Sequence, residues 1–365
     1  MKVGIITKIG KNYGAILQAF ALKRVCEELG TESHIIKYTP KISDNSYRVC
    51  KFPWGRKGTF ANIKALRHRR EIQRGSRRFL DFRNQEFSFI GNYCCSEELE
   101  NVVPDCDIFI SGSDQVWNPQ ISFDEAFYLN FAYGKNKKLL SYAASIGLKC
   151  IPSQYYDEFC NRVKKFDIVT VREKQAQSIL LDMGIKSTVT PDPTLLLDKK
   201  IWDEKAQDMI LEPYILCYFV SFPREIKNTV NEVKEHLGIR VVNLMTSEES
   251  ASVGDIKIRD AGPREFLGLF KNATYVITSS FHGTIFSIIN RKPFITTLYQ
   301  STSSRVTELL ENVNLSNRIF DPKKSDINDY YDEVIYNEDV EQRISELKTL
   351  GRSILANMLN NEKEK

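Results

Sequence analysis

The sequence predicts an α/β protein of two domains, each built on a parallel sheet. Three observations carry that expectation. A chain of 365 residues exceeds what one hydrophobic core ordinarily fills, since single cores stop growing near about 250–300 residues. Short runs of β-branched and aromatic residues alternate with helical patterns over most of its length, which is the signature of strands joined by crossover helices. The alternation then pauses in a stretch rich in Pro, Asp and Lys and starts again, so the pattern reads as two successive units.

In chain order, the first unit is expected to contain strands KVGIIT (2–7), HIIKYT (34–39), DIFISG (107–112), KLLSYAA (138–144), DIVTV (167–171) and STVT (187–190). The segment from Leu195 to Pro213 is the linker candidate, although its tryptophan and leucines suggest that it packs. The second unit is expected to contain YILCYFVS (214–221), RVVNLM (240–245), TYVITS (274–279) and PFITTL (293–298). A long amphipathic helical pattern from about Asn337 to Leu359 precedes a charged NEKEK end. These limits predict domains over 1–200 and 201–365, with a basic helical insertion at about 48–85 in the first.

A content of 42% hydrophobic and 27% charged residues belongs to globular proteins and argues against wholesale disorder. The eight cysteines include no CxxC pair and read as reduced thiols. The opening MKVGIIT has an apolar run too short for a signal peptide or a membrane span, so a cytoplasmic location is expected. The net charge is only +4, but residues 48–78 hold Arg48, Lys51, Arg56, Lys57, Lys64, Arg67, Arg69, Arg70, Arg74, Arg77 and Arg78, with Glu71 the one acid. Such a run is either a solvated helix face or an anion-binding surface. Interleaved Phe52, Trp54, Phe60, Ile63 and Leu66 fit a peripheral contact with a membrane or a lipid diphosphate. No nucleic-acid module accompanies it, and nucleic acid is not expected as a partner.

Chemistry is expected in the loops that leave the strands at their carboxyl ends, where open α/β sheets bind ligands. In SSFHG, Ser279, Ser280, His282, Gly283 and Thr284 join a strand to a helix start, which suits an anion; His282 can alternatively be a helix cap. In SGSDQ, Ser113 and Asp114 are helix N-caps or ligands for protons and hydroxyls. Ser145 lies in the small-residue loop AASIG. Arg172 ends the strand DIVTV; adjacent residues of a helix do not face one another, so it reads as unengaged by Glu173 and suited to a carboxylate or phosphate. Asp192 stands between two prolines in a turn. No P-loop, GxGxxG, HExxH or zinc spacing is present, and Asp105-Cys106-Asp107 precedes a strand instead of following one, so neither a metal nor a cofactor is expected.

Taken together, NYGAILQAFAL (12–22), ISGSDQVWNP (110–119), SYAASIG (141–147), VREKQAQSILLDMGI (171–185), VTPDPTLLL (189–197) and SSFHGTIFSIINRKPFI (279–295) resemble the polysaccharide pyruvyl transferase family. The resemblance implies a GT-B-like pair of Rossmann-like domains with the active site in the cleft. It also implies transfer of pyruvate from phosphoenolpyruvate onto a sugar as a ketal. By motif position the family's histidine falls on His282, its donor-binding arginine on Arg172, and its acidic positions on Asp114 and Asp192. The basic segment matches no family motif, which leaves acceptor recognition open; the expected acceptor is a sugar or a lipid-diphosphate-linked saccharide. The sequence is silent on oligomeric state. A metal-independent glycosyltransferase using a nucleotide sugar, or a non-catalytic protein binding a glycan or lipid anchor, are the alternative readings.

Overall fold

A computed structural model of the chain describes residues 1–40, 66–298, 303–331 and 334–360. The described residues divide into two compact units. The first comprises 1–40, 83–197 and 346–360, and the second 66–82 with 198–345. Chain order alone therefore does not assign every segment. The end of the last helix belongs to the first unit because Tyr142 Oη donates to the Gly351 carbonyl at 3.4 Å and Arg352 Nη1 reaches Glu28 Oε2 at 2.9 Å. Residues 66–82 belong to the second, where Arg78 Nε meets Glu265 Oε1 at 3.0 Å.

The first unit carries a seven-stranded sheet in the order β3-β2-β1-β4-β5-β6-β7. Its strands are β1 (Lys2–Ile6), β2 (Glu32–Tyr38), β3 (Phe89–Tyr93), β4 (Ile108–Ser111), β5 (Lys138–Ala144), β6 (Ile168–Val171) and β7 (Thr188–Val189), and all neighbours pair in parallel. Among the described helices, α1 (Tyr13–Glu28) follows β1, α2 (Arg69–Glu86), which belongs to the second unit as far as Phe82, precedes β3, α3 (Ser96–Asn101) follows β3, α4 (Ser153–Val163) follows β5, and α5 (Lys174–Asp182) follows β6. Helix α1 starts where Asn12 Oδ1 accepts from Ala15 N at 3.0 Å, and it is buried on nearly every side, because the 3-10 turn Pro193–Leu196 packs against it as well as the sheet. The core of this unit centres on Trp117, stacked at 6.0 Å on Tyr128 and met edge-on by Phe159.

The second unit carries a five-stranded parallel sheet in the order β10-β9-β8-β11-β12. Its strands are β8 (Tyr214–Tyr218), β9 (Arg240–Leu244), β10 (Ile256–Ile258), β11 (Tyr275–Thr278) and β12 (Phe294–Thr296). Its helices are α6 (Lys199–Lys205), α7 (Ile226–Leu237), α8 (Pro263–Asn272), α9 (Phe281–Ile289) and α10 (Ser303–Asn312), and α11 (Glu338–Asn360) begins in it. The linker candidate is part of this packing: α6 forms within it, and Trp202 is buried edge-on to Phe286 at 5.2 Å.

Each sheet has the doubly wound order of a Rossmann-like fold, and in each the strand order reverses beside its first strand, between β1 and β4 and between β8 and β11. The expected strands all form, shorter by one to three residues, except that β2 starts two residues earlier and β5 has the expected ends. Two strands were not expected, β3 and β10. Each is the outer edge of its sheet: β3 is broken by glycine and asparagine, and β10, Ile-Lys-Ile, is too short for its alternation to stand out as a strand. Asp105 to Asp107 leads into β4 as a loop, with Lys2 N donating to Asp107 Oδ2 at 2.7 Å. Among the described residues, no helix is long and apolar enough to cross a membrane. The charges Arg48, Lys51, Arg56, Lys57 and Lys64 lie outside the described residues, as does the NEKEK end.

Candidate active site

In the first unit, the carboxyl ends of β1, β4, β5, β6 and β7 bring five of the expected residues together. Arg172, just past β6, donates from Nη1 to Asp192 Oδ2 at 2.8 Å, and Ser113 Oγ donates to the same oxygen at 3.2 Å. Asp192 caps the 3-10 turn Pro193–Leu196, its Oδ1 accepting from Thr194 N at 3.0 Å and Thr194 Oγ1 at 2.7 Å. The Arg172 and Asp192 side chains are 2% and 0% exposed. The arginine that the sequence leaves unengaged is thus one half of a buried ion pair. Burial opposes its charge, but Asp192, Glu173 and Asp114 outweigh that penalty and hold the guanidinium pKa above its ordinary value.

Glu173 is the residue that sequence reasoning passed over. It precedes α5 in extended backbone, φ −132° and ψ 144°, so the helical rule separating neighbouring side chains does not apply to it. Its Oε2 lies 3.9 Å from Arg172 Nε, while its Oε1 accepts from Ser145 Oγ at 2.9 Å and from the backbone N–H groups of Ile146 and Gly147 at 3.0 Å each. The small-residue loop after β5 is therefore tied to the arginine's own segment, and the Ser145 hydroxyl serves that tie. Gly147 has φ +64°, and an added Cβ would stand 2.9 Å from Gln115 Cδ, so the loop is closed against the one after β4.

Asp114 has neither of these constraints. It caps no helix; its backbone sits at φ +80°, and its carbonyl accepts from Ser145 N at 3.0 Å. Its half-buried side chain lies in the field of Lys8, the first residues after β1 being absent from the sequence-level candidates. Burial lowers the Lys8 pKa, Asp114 opposes that shift, and Lys8 Nζ donates to the Gln115 carbonyl at 2.6 Å. The signal for Lys8 was its place, a lysine leaving the first strand at the point where the strand order reverses.

In the second unit, β11 ends at Thr278 and α9 begins at Phe281, three residues earlier than the loop reading of SSFHG expects. His282 accordingly lies in the first helical turn, half-buried, its ring edge-on to Phe281 at 5.3 Å. It stands at the reversal point of its sheet, beside the end of β8, and at the positive end of the helix dipole. Its small neighbours build this corner. Ser280 is the helix cap, with Oγ accepting from Gly283 N at 3.2 Å. Ser279 Oγ donates to the Ser221 carbonyl at 2.6 Å, and Thr284 Oγ1 donates to the Ser280 carbonyl at 3.0 Å.

These hydroxyls are turned toward the protein's own backbone, and Gly283 does not open the backbone to a ligand. A Cβ there would lie 2.3 Å from Thr278 Oγ1 and 3.1 Å from Tyr218 Cδ1. The glycine allows α9 to start flush against β11. A cation the sequence reading missed also approaches this corner: the buried Arg305 of α10 places Cζ 5.8 Å from the Phe281 ring centroid.

The described half of the basic segment is partly spoken for. Arg74 pairs with Asp260, and Arg78 reaches Asp260 Oδ2 at 3.3 Å and Glu265 Oε1 at 3.0 Å. Arg67, Arg69, Arg70 and Arg77 are exposed.

Among solved structures, a UDP-N-acetylglucosamine 2-epimerase is 14% identical, with a TM-score of 0.51 over 100% of this chain and 97% of that one. The UDP-GlcNAc 2-epimerase from Methanocaldococcus jannaschii is 16% identical, TM-score 0.47, over 100% and 94% of the two chains. The spinosyn rhamnosyltransferase SpnG is 12% identical, TM-score 0.44, over 99% and 100%. At these identities the first likeness is one of fold alone, and the other two carry no argument. No curated protein matches the chain. The family model described as polysaccharide pyruvyl transferase matches residues 12–301, a span that takes in the arginine–aspartate pair of the first unit and the histidine corner of the second, and the chain belongs to that family.

Proposed function

We propose that the protein transfers pyruvate from phosphoenolpyruvate onto two hydroxyls of one sugar as a ketal, releasing phosphate. The observation that supports this most is the Arg172–Asp192 pair: a guanidinium locked by a buried carboxylate at the carboxyl edge of a doubly wound sheet, a place where such folds bind anions. The reaction adds a proton to the methylene carbon of the enol phosphate, breaks the bond between its central carbon and the phosphate oxygen, and forms two carbon–oxygen bonds to the sugar. Of the two hydroxyl protons released, one replaces the proton given to the methylene and the other leaves with phosphate.

His282 is the proposed acid. Imidazole is the side chain whose ordinary pKa, about 6.5, lets it give and retake a proton near neutrality. Arg172 is the proposed holder of the donor's carboxylate or phosphate, with bidentate geometry that a lysine lacks. Asp114 is the proposed base toward the acceptor hydroxyl, since its side chain is only half-buried. Asp192 is better read as the group that positions Arg172, because both of its oxygens are engaged by protein donors. Ser113, Ser145, Ser279, Ser280, Gly283 and Thr284 then shape the loops from behind, and the donor requires no metal or cofactor in this scheme.

The acceptor is proposed to be a sugar carried on a lipid diphosphate, with exposed Arg67, Arg69, Arg70 and Arg77 of the basic segment available to a cytoplasmic-face membrane surface. The test is to incubate the purified protein with phosphoenolpyruvate and a panel of lipid-diphosphate sugars, following phosphate release and the mass of a pyruvate ketal. Release of nucleotide from a sugar nucleotide, with phosphoenolpyruvate untouched, would overturn the proposal in favour of glycosyl transfer. His282→Ala is expected to lower turnover at least about a hundredfold, and a folded variant with near-normal turnover would remove the histidine from the chemistry.

A further inference from the structure

At the outer edge of the first sheet, the chain leaves β3 through two consecutive cysteines and enters α3. Cys95 is the N-cap of that helix, in extended backbone at φ −153° and ψ 164°, which sets Glu98 one turn further on. Glu98 folds back over the connection: its Oε2 accepts from Cys94 N at 2.7 Å and its Oε1 from Cys94 Sγ at 3.0 Å. The Cys94 sulfur, the Cys95 sulfur and a Glu98 oxygen all lie within 4.8 Å of one another. Two adjacent residues of an extended chain would ordinarily point their side chains apart, so this convergence is a product of the turn into α3.

We infer that Cys94, Cys95 and Glu98 form a binding site for a thiophilic divalent cation of the zinc class. The donor set decides the class. Two thiolates and one carboxylate suit zinc, with water completing a tetrahedron, and do not suit calcium or magnesium, which take oxygen ligands. The size is right as well: zinc–sulfur bonds of about 2.3 Å in a tetrahedron place two sulfurs about 3.8 Å apart, so the donors need to close by no more than about an ångström.

Binding would exchange the two thiol protons for the ion and clip β3 to α3. The site is separate from the proposed chemistry, because Asp114 follows β4, three strand spacings from β3, and Arg172 follows β6, five spacings from it, about 14 and 24 Å.

The experiment uses the full chain, reduced and stripped with a chelator. Cd2+ is titrated while the thiolate-to-metal absorption is followed, and Zn2+ affinity is measured by competition with a chromophoric chelator. The expected result is one equivalent bound with release of protons, lost in Cys94→Ser and in Cys95→Ser, and weakened at least about tenfold in Glu98→Gln. Cys150→Ser, at an exposed cysteine elsewhere, should bind as the parent does. A parent chain without the thiolate band overturns the inference. So does a Cys94→Ser/Cys95→Ser double variant that keeps the full equivalent with an unchanged circular dichroism spectrum.

Discussion

Replacing Asp192 by asparagine separates a positioning role from a catalytic one. The carboxylate takes donors from Thr194 N, Thr194 Oγ1, Ser113 Oγ and Arg172 Nη1 at 3.0, 2.7, 3.2 and 2.8 Å. Asparagine keeps an oxygen for the two Thr194 donors but turns an amide N–H toward the guanidinium. Arg172 is then left buried, with Glu173 Oε2 at 3.9 Å from Nε as its remaining close anion. Breaking a buried pair from one side costs about 3–5 kcal/mol. The surviving Thr194 bonds and Glu173 set the expected loss at the lower end, about 3 kcal/mol.

The assay is urea unfolding followed by tryptophan fluorescence, to which Trp117 in the same unit contributes. An Arg172→Met variant and the double variant complete a cycle. The double variant should be less destabilised than Asp192→Asn alone, since it no longer buries a guanidinium deprived of its Asp192 carboxylate, and the coupling should fall in the range of about 0.5–3 kcal/mol. In kinetics, Asp192→Asn should raise the KM for phosphoenolpyruvate and leave the shape of the pH–rate profile in place. A stability within about 0.5 kcal/mol of the parent, together with loss of one limb of the profile, would refute the reasoning and make Asp192 the base.

Three other outcomes are expected. Gly283→Ala should lower stability by about 1–3 kcal/mol through overpacking, because its Cβ would meet Thr278 Oγ1 at 2.3 Å; thermal denaturation checks this, and an unchanged midpoint would contradict the flush start of α9. Burial pushes the Cys26 thiol up from 9.0 to about 12. Its folded pKa is raised, so its contribution to stability is complete below pH 9 and is lost as pH rises toward 12. The fall of unfolding free energy with pH above 9 should therefore be shallower in Cys26→Ala, by up to about 1.4 kcal/mol per pH unit, and equal slopes would show that the thiol ionises alike in both states. Finally, reversing the charges of Arg67, Arg69 and Arg70 should weaken sedimentation with anionic liposomes while leaving the fold intact, since the ion pairs of Arg74 and Arg78 are untouched; normal binding by that variant would remove the membrane-surface reading.

Much of the fold was legible because interior parallel strands are buried on both faces and so read as short apolar runs; β4 and β8 are buried throughout. The edge strands β3 and β10 escaped for the converse reason, having one neighbour and little apolar surface to hide. The site residues were legible one at a time, as polar or small residues at strand ends. Their partnerships were not. Arg172 and Asp192 are twenty positions apart in the chain, yet they follow β6 and β7, which pair in parallel at Val171 and Val189. Cys94, Cys95 and Glu98 escaped a search for CxxC spacing because a turn, and not a fixed interval, brings the two sulfurs to one side.

The sequence by itself determined the class of this protein: two α/β units, their strands, and the motif order of its family, because hydrophobic periodicity and local loop chemistry are properties of neighbouring residues. Only the tertiary structure decided what each motif residue does with its side chain. It turned Ser279 and Thr284 inward, locked Arg172 against Asp192, and left Asp114 half-buried beside Lys8. Hydrogen bonds and ion pairs form between groups that a sheet brings side by side, and which strands are side by side is written in no single stretch of the chain.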